Sequence, residues 1–298
     1  MDGSGAEQFS EIVFIGERKM NCRILESRKT LAFVVAAALS LAAPALMDAQ
    51  AARGAQLPAT PPAPKVAAPI DLTGYWVSIV TEDWRFRMIT PDKGDFSSVP
   101  LNPEGRRVAN TWDPEKDEAD GNQCKSYGAA AVMRVPGHVH IFWENDNTLR
   151  IDTDAGTQTR LLHFEGPPPG ENVPEKAPGS EPPPWQGYSA AAWEGQKPRN
   201  LQAGPGQAQE GQAKEGYLKV ATNHMRPGYL RKNGVPYSAN AILEEYFESF
   251  TEPNGDKWLI VTTIVTDPQY LLLPFITSTN FKRVPDASGW NPSKCEVK

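Results

Sequence analysis

Residues 239–266 read ANAILEEYFESFTEPNGDKWLIVTTIVT. The run Glu252-Pro253-Asn254-Gly255 is made of turn formers and divides the stretch in two. On either side lie Ala239–Phe250 and Lys257–Thr266, both rich in the aromatic and β-branched residues that pleated strands favour. This predicts two strands joined by a hairpin, and working outward from it the apolar positions keep a period of two rather than 3.6. Gly74–Thr81 and Trp84–Ile89 read as strands. Ala129–Val135 and His138–Glu144 meet across Pro136-Gly137. Leu149–Asp154 and Thr157–Phe164 join through Asp154-Ala155-Gly156, a short turn suited to a hairpin. Trp185–Glu194, Tyr217–Met225 and Phe275–Arg283 complete the set. One short helix is expected over Pro103–Thr111, with Asn102 as N-cap and Pro103 in the first helical position.

Many short strands with few helical segments predict an all-β fold. The form expected is an antiparallel sheet closed, or partly closed, into a barrel with long loops, the alternative being a sandwich. Closure is favoured because it removes sheet edges. A barrel of this size is expected to leave an interior just large enough for a small ligand.

The ends of the chain read differently. Lys19, Arg23, Arg28 and Lys29 precede LAFVVAAALSLAAPALM at 31–47, followed by Ala49-Gln50-Ala51. A basic region, a short apolar run and small residues are the parts of a secretory signal peptide, assigned to residues 1–51, with Met20 as an alternative start. A transmembrane anchor is the other reading, but the run is short and diluted by alanine and proline. Residues 52–70 form a Pro/Ala linker, expected to be disordered. The remainder, 71–298, is read as one β-barrel domain with low-complexity insertions at about 165–184 and 195–216.

Composition excludes some partners. The chain of 298 residues carries a net charge of -6, and its isoelectric point is near 5.4. Nucleic acid and anionic membrane surfaces call for a basic footprint, so neither is expected as a partner. No stable membrane insertion is expected once the signal is cleaved, and the location expected is periplasmic or secreted. Signal removal takes Cys22 and leaves Cys124 and Cys295. In an exported protein an even pair reads as a disulfide. Closing so long a loop is worth about 5 kcal/mol as an upper figure.

Six motifs carry a resemblance: DLTGYW at 71–76, PLNPEGR at 100–106 followed by QCKSYG at 123–128, and WQGYSAAAWE at 185–194. GVPYSANAILEEYF at 234–247, TDPQYLLLPF at 266–275 and WNPSKC at 290–295 follow in order. In this order the chain resembles a largely uncharacterised family of exported bacterial proteins with a lipocalin-like (calycin-type) barrel. The resemblance implies a fold and an exported location. It implies no reaction.

Four groups of residues could carry chemistry. HVHIFWE at 138–144 puts His138 and His140 on one strand face with Glu144 at the spacing of the cupin H-x-H-x3-E signature. Val132 and Ile151 stand where that pattern needs glycine, and its second motif is missing, so no metal or other cofactor is expected. Arg150, Asp152 and Asp154 share a face of the next strand, with Arg160 across the turn. They form either a polar lumen floor or the solvated outer face of a hairpin. TNHMRPGYLRKNGVPYS at 222–238 gathers His224, Arg226, Tyr229, Arg231 and Tyr237 in a turn-rich segment, with Glu245 placed to orient His224 if the flanking strands pair. Asp83, Arg85 and Arg87 alternate with Trp84 and Phe86 in the early stretch. G-x-S-x-G, H-E-x-x-H, P-loop and dinucleotide motifs are absent from the sequence.

Whether the chain is an enzyme is left open by these residues. The leading expectation is an exported barrel that binds a small hydrophobic or aromatic molecule, with Arg85, Arg150, Asp152, Arg160, Arg226, Tyr229 and Arg231 as ligand-binding candidates. The alternative is an acid–base hydratase, isomerase or lyase on the same barrel, using His224, Tyr237, Glu245 and Asp154. A cupin-like metal protein using His138, His140 and Glu144 is the weaker third.

Overall fold

The computed structural model describes residues 61–165, 182–195 and 216–298. The expected signal peptide, the alternative start at Met20, the first part of the Pro/Ala linker and the bulk of both insertions lie outside the described residues. Among the described residues no helix is long and apolar enough to cross a membrane. The end of the linker carries one helical turn, α1 (Pro64–Ala67). It is tied to neighbouring strands, because Lys65 N–H donates to the Asp146 carbonyl at 3.2 Å and Trp193 Nε1–H to the Pro64 carbonyl at 2.9 Å. This part of the stretch expected to be disordered is therefore ordered.

The chain forms β1 (Gly74–Ile79), β2 (His138–Asn145), β3 (Thr148–Thr153), β4 (Thr159–His163), β5 (Tyr188–Glu194) and β6 (Tyr217–Asn223). It continues through a small hairpin, β7 (Gly228–Arg231) and β8 (Val235–Tyr237), to β9 (Ile242–Thr251), β10 (Lys257–Thr266) and β11 (Phe275–Val284). Nine of these close a barrel in the order β1-β11-β10-β9-β6-β5-β4-β3-β2. Closure is made by β1, where Tyr75 lies opposite Val284 of β11 on one side and His140 of β2 on the other. The expected hairpin between β9 and β10 is the longest pairing, running from Thr251↔Lys257 to Ile242↔Thr266. The sheet is not wholly antiparallel. β4 and β5 run parallel, with Leu162 opposite Ser189.

Two expected strands are helical turns. Trp84–Ile89 yields α2 (Trp84–Arg87), set up by Asp83 in the left-handed region at φ 50°. The alternation of Asp83, Arg85 and Arg87 against Trp84 and Phe86 is lost, and Trp84 is 61% exposed. Arg87 turns inward, where it pairs with Glu82 and donates to Ser78 Oγ at 3.0 Å and the Arg134 carbonyl at 2.9 Å. That tertiary anchoring overrides the aromatic strand propensity. Ala129–Val135 yields α5 (Ala129–Val132), so no hairpin forms across Pro136-Gly137. Three consecutive alanines favour the turn. Gly128 admits it to the core, since a Cβ there would lie 2.1 Å from the Tyr237 hydroxyl oxygen. The expected helix appears as α3 (Pro103–Ala109), with Asn102 Oδ1 accepting from Gly105 N–H at 2.8 Å. A further turn, α4 (Pro114–Ala119), and a 3-10 turn at Gln123–Tyr127 follow.

Among the described residues the lumen, where space for a small ligand is expected, is occupied by buried apolar side chains, among them Trp76, Ile141, Leu149, Phe247, Leu259 and Phe281, all in one cluster. At one end Val132 and Met133 join that cluster from α5, and a second cluster built on Ala129, Ala130, Met225, Leu230, Val235 and Tyr237 caps it. Within the lumen one ion pair is fully enclosed. Arg160 and Glu245 are both 0% exposed, and the guanidinium grips the carboxylate through Nη1 at 2.9 Å and Nη2 at 2.5 Å. Thr222 and Ser189 complete the group through hydroxyl contacts at 3.5 and 2.7 Å. Removing one partner of a buried pair leaves an uncompensated charge. Glu245→Gln should cost about 3–5 kcal/mol, whereas the apolar pair Arg160→Met with Glu245→Leu should restore most of it. Urea unfolding of the three variants checks this ordering.

Candidate functional site

At the capped end, α2, α5, β7 and the chain's last residues surround a cavity of about 270 Å³. Phe86, Met88, Ile89 and Leu230 give it apolar walls. Arg87, Arg134 and Arg231 give it charge, and Lys232 and Glu296 lie on the same lining. The three arginines are not equivalent. Arg87 is saturated by Glu82, Ser78 and the Arg134 carbonyl, and burial lowers its pKa below the ordinary arginine value. Arg134 donates through Nη2 to Asp83 at 3.0 Å, while its buried Nη1 finds no acceptor among the described residues. Arg231 donates through Nη1 to the Ser97 carbonyl at 2.6 Å, and its Nε and Nη2 find none. Its guanidinium sits over the Phe86 ring at 4.1 Å. Burial first, and then the charge of Arg134, push the Arg231 pKa down to about 10.

The fourth wall is the end of the chain, which runs across the cavity as a strap. Ser293 N–H donates to the Asp154 carbonyl at 2.9 Å, Thr157 Oγ1–H to the Ser293 carbonyl at 2.8 Å, and Glu296 N–H to the Tyr127 hydroxyl at 3.3 Å. The expected disulfide, Cys124–Cys295, fastens it across a sequence separation of 171.

The structure scatters most of the candidate residues read from the sequence. Arg231 alone of the ligand-binding candidates lines the cavity. Arg150 and Asp152 face outward on β3 and bind each other at 2.9 Å, whereas Arg160, opposite Ile151, faces the lumen. Arg85 is exposed and pairs with Asp95 at 2.6 Å. Arg226 lies over the Trp185 ring at 4.3 Å. The Tyr229 hydroxyl donates to Asp117 at 2.7 Å, and burial together with that carboxylate raises its pKa.

The acid–base set is likewise not assembled. Glu245 is committed to Arg160 and does not orient His224, whose Nδ1 contacts Asn223 Oδ1 at 2.8 Å. Tyr237 is buried, and burial raises its pKa. Asp154 does not share the outer face of Arg150 and Asp152. Its carboxylate is buried, accepting from His138 N–H at 2.7 Å and Ala155 N–H at 2.6 Å, with His138 Nδ1 at 2.8 Å. The three metal candidates also diverge. His138 is held by Asp154, His140 is stacked between Tyr75 and Phe142 with ring centroids 4.0 and 4.6 Å away, and Glu144 lies 3.7 Å from Arg150. Among the described residues no three His, Cys, Asp or Glu side chains converge as metal ligands.

Sequence reasoning missed Arg134, which ends the apolar run Ala129–Met133, and the place of Phe86 and Tyr127 on the lining. An arginine closing a fully apolar stretch was the available signal for the first. Comparisons with protein-family models, with curated proteins and with solved structures return no match. What the residues of the cavity can do therefore rests on their geometry.

The stacked histidines make stability depend on pH. Desolvation lowers the pKa of His140, beside Asp152 and Arg150, and of His163, which stacks on Tyr188 at 5.2 Å beside Glu165 and Glu144. Below the ordinary histidine value of 6.5 the unfolded chain takes up protons that these folded rings resist. Their contribution is thus complete above that value and is lost as pH falls through the folded values. Urea midpoints should fall as pH is lowered from about 7 to 5, with a shallower slope in the His140→Phe, His163→Phe double variant.

Proposed function

We propose that this chain is an exported β-barrel protein that binds a small molecule in the cavity at the capped end of the barrel and not in the lumen. The observation that carries the reading is the contrast between a lumen closed by packed side chains and a cavity at its mouth with both apolar and charged walls. Pockets of this kind, mostly apolar with a few convergent polar groups, are the usual form of small-molecule sites. The ligand's apolar body rests against Phe86 and Leu230, with Met88 and Ile89 at the rim, and the arginines orient its polar end. Export is supported by the signal-like N-terminal segment, the resemblance of six motifs to an exported barrel family, and the bond between Cys124 and Cys295.

Catalysis by the four acid–base candidates finds no support in the geometry, because His224, Tyr237, Glu245 and Asp154 each have separate surroundings. The binding reading is tested with a thermal-shift screen of small aromatic and aliphatic compounds on the protein and on Thr90→Trp. Thr90 is a wall residue of the cavity. Compounds that raise the melting temperature of the parent protein should leave that of Thr90→Trp unchanged. Equal shifts in both proteins would place binding elsewhere.

A further inference from the structure

We infer that residues 291–298 are a lid on the capped-end cavity, latched by the Cys124–Cys295 bond and opened by a dithiol reductant; the inference rests on reading that cavity as the ligand site. The barrel is complete without the strap. Among the described residues neither apolar cluster takes a member beyond Phe281, and no residue from 285 to 298 is buried. Trp290 is the last side chain to pack on the barrel wall, its ring 6.0 Å from Tyr75 and 6.5 Å from His140. Beyond it only Cys295 and Val297 are even partly covered.

What holds residues 291–298 is thin. Ser293 N–H to the Asp154 carbonyl at 2.9 Å and Thr157 Oγ1–H to the Ser293 carbonyl at 2.8 Å are of ordinary length. Asn291 N–H to Asp154 Oδ2 and Gly156 N–H to Ser293 Oγ, both at 3.4 Å, are long. So are Glu296 N–H to the Tyr127 hydroxyl at 3.3 Å and Lys232 Nζ to the Lys298 carbonyl at 3.4 Å. Hydrogen bonds at an exposed surface compete with water and contribute little net stability. A segment with such bonds and no buried apolar contact opens locally at low cost. The covalent bond therefore keeps the strap at high effective concentration against the cap. From that position it supplies Ser293 and Glu296 to the cavity lining and covers the hydroxyl of Tyr127, itself 3% exposed.

The bond is placed for exchange. Both cysteines are partly exposed, and exposed disulfides are the ones that thiols reduce most readily. Gln158 Nε2 lies 3.5 Å from Cys295 Sγ and 3.8 Å from Cys124 Sγ. Its N–H stabilises whichever sulfur leaves as thiolate. One thiolate of the dithiol attacks one sulfur, and the other sulfur departs with the bonding pair. The reductant's second thiol then displaces the first protein sulfur and closes the reductant's own disulfide. Two electrons and two protons have passed to the protein, leaving Cys124 and Cys295 as thiols. Cys124 stays on the 3-10 turn, which is anchored by buried Ser126 and Tyr127. Cys295 leaves with the strap, and the cavity loses its fourth wall. The oxidised protein retains its ligand and the reduced protein releases it.

The test needs no ligand. Hydrogen exchange of the folded protein is followed by mass spectrometry with and without dithiothreitol. Reduction should strip protection from residues 291–298 and leave the β9–β10 hairpin as slow as before. Loss of protection in both together would make the bond a staple of the whole fold, and a strap still protected after reduction would make its hydrogen bonds sufficient; either result overturns the latch. Global stability is not the readout, because opening a long covalent loop lowers it in either case. Opening of the cavity is read by nitration with tetranitromethane in the Cys124→Ser, Cys295→Ser double variant. Exported, with Cys22 removed in the signal, this variant has no thiol. Tyr127 should react on the order of tenfold faster than in the parent protein, while Tyr237, 1% exposed in the cap, stays unreactive in both. Unchanged Tyr127 reactivity with the strap released would overturn the lid. Release and opening without any hit in the thermal-shift screen would overturn the ligand reading and leave the latch standing.

Discussion

Filling of the barrel lumen is the constraint on which the rest of this protein depends. Nine strands enclose an interior that can either hold one small ligand or be filled by side chains, and here Trp76, Phe247 and Phe281 occupy it. Among the described residues the lumen holds the ion pair of Arg160 and Glu245, whose Nη1 and Nη2 contacts to the carboxylate neutralise both charges. With the lumen closed, concave space forms where the cap meets the barrel end. That junction is assembled from segments far apart in the chain: α2, α5, β7 and residues 293–296.

The strap shows how the fold holds that junction. Residues 291–296 have no regular secondary structure. They are held by hydrogen bonds to Asp154, Gly156, Thr157 and Tyr127 and by the bond between Cys124 and Cys295. Asp154 is central to this arrangement. Its buried carboxylate binds the start of β2 through His138, while its carbonyl receives the strap through Ser293. A residue that the sequence presents as one of a row of strand acids is therefore a tie between the barrel and its last wall.

Much of the barrel was legible because local signals decide it. The Glu252-Pro253-Asn254-Gly255 turn sets the β9–β10 register, the Asn102-Pro103 start sets α3, and two cysteines in an exported reading predict their own bond. What was not legible depends on distant partners. Trp84–Arg87 has strand composition, but Arg87 is drawn inward by Glu82, Ser78 and Arg134. Ala129–Val132 has an apolar run that suits strand or helix equally, and burial under the cap chooses the helix. The parallel β4–β5 pair has no local signal, because the residues between the two strands carry no periodicity. The site suffered most. Arg231 could be named as a binding residue, but its place on the cavity beside Arg87 and Arg134 emerges only once α2, α5 and β7 are brought together.

The most direct measurement is the position of a heavy atom on a bound ligand. Crystals of the protein soaked with 4-bromobenzoate and measured at the bromine absorption edge would locate it by anomalous scattering. A bromine peak in the capped-end cavity against Phe86 and Leu230 is the result expected. A peak inside the barrel among Leu149, Leu162 and Phe247 would contradict the claim that the lumen is closed and the mouth is the site.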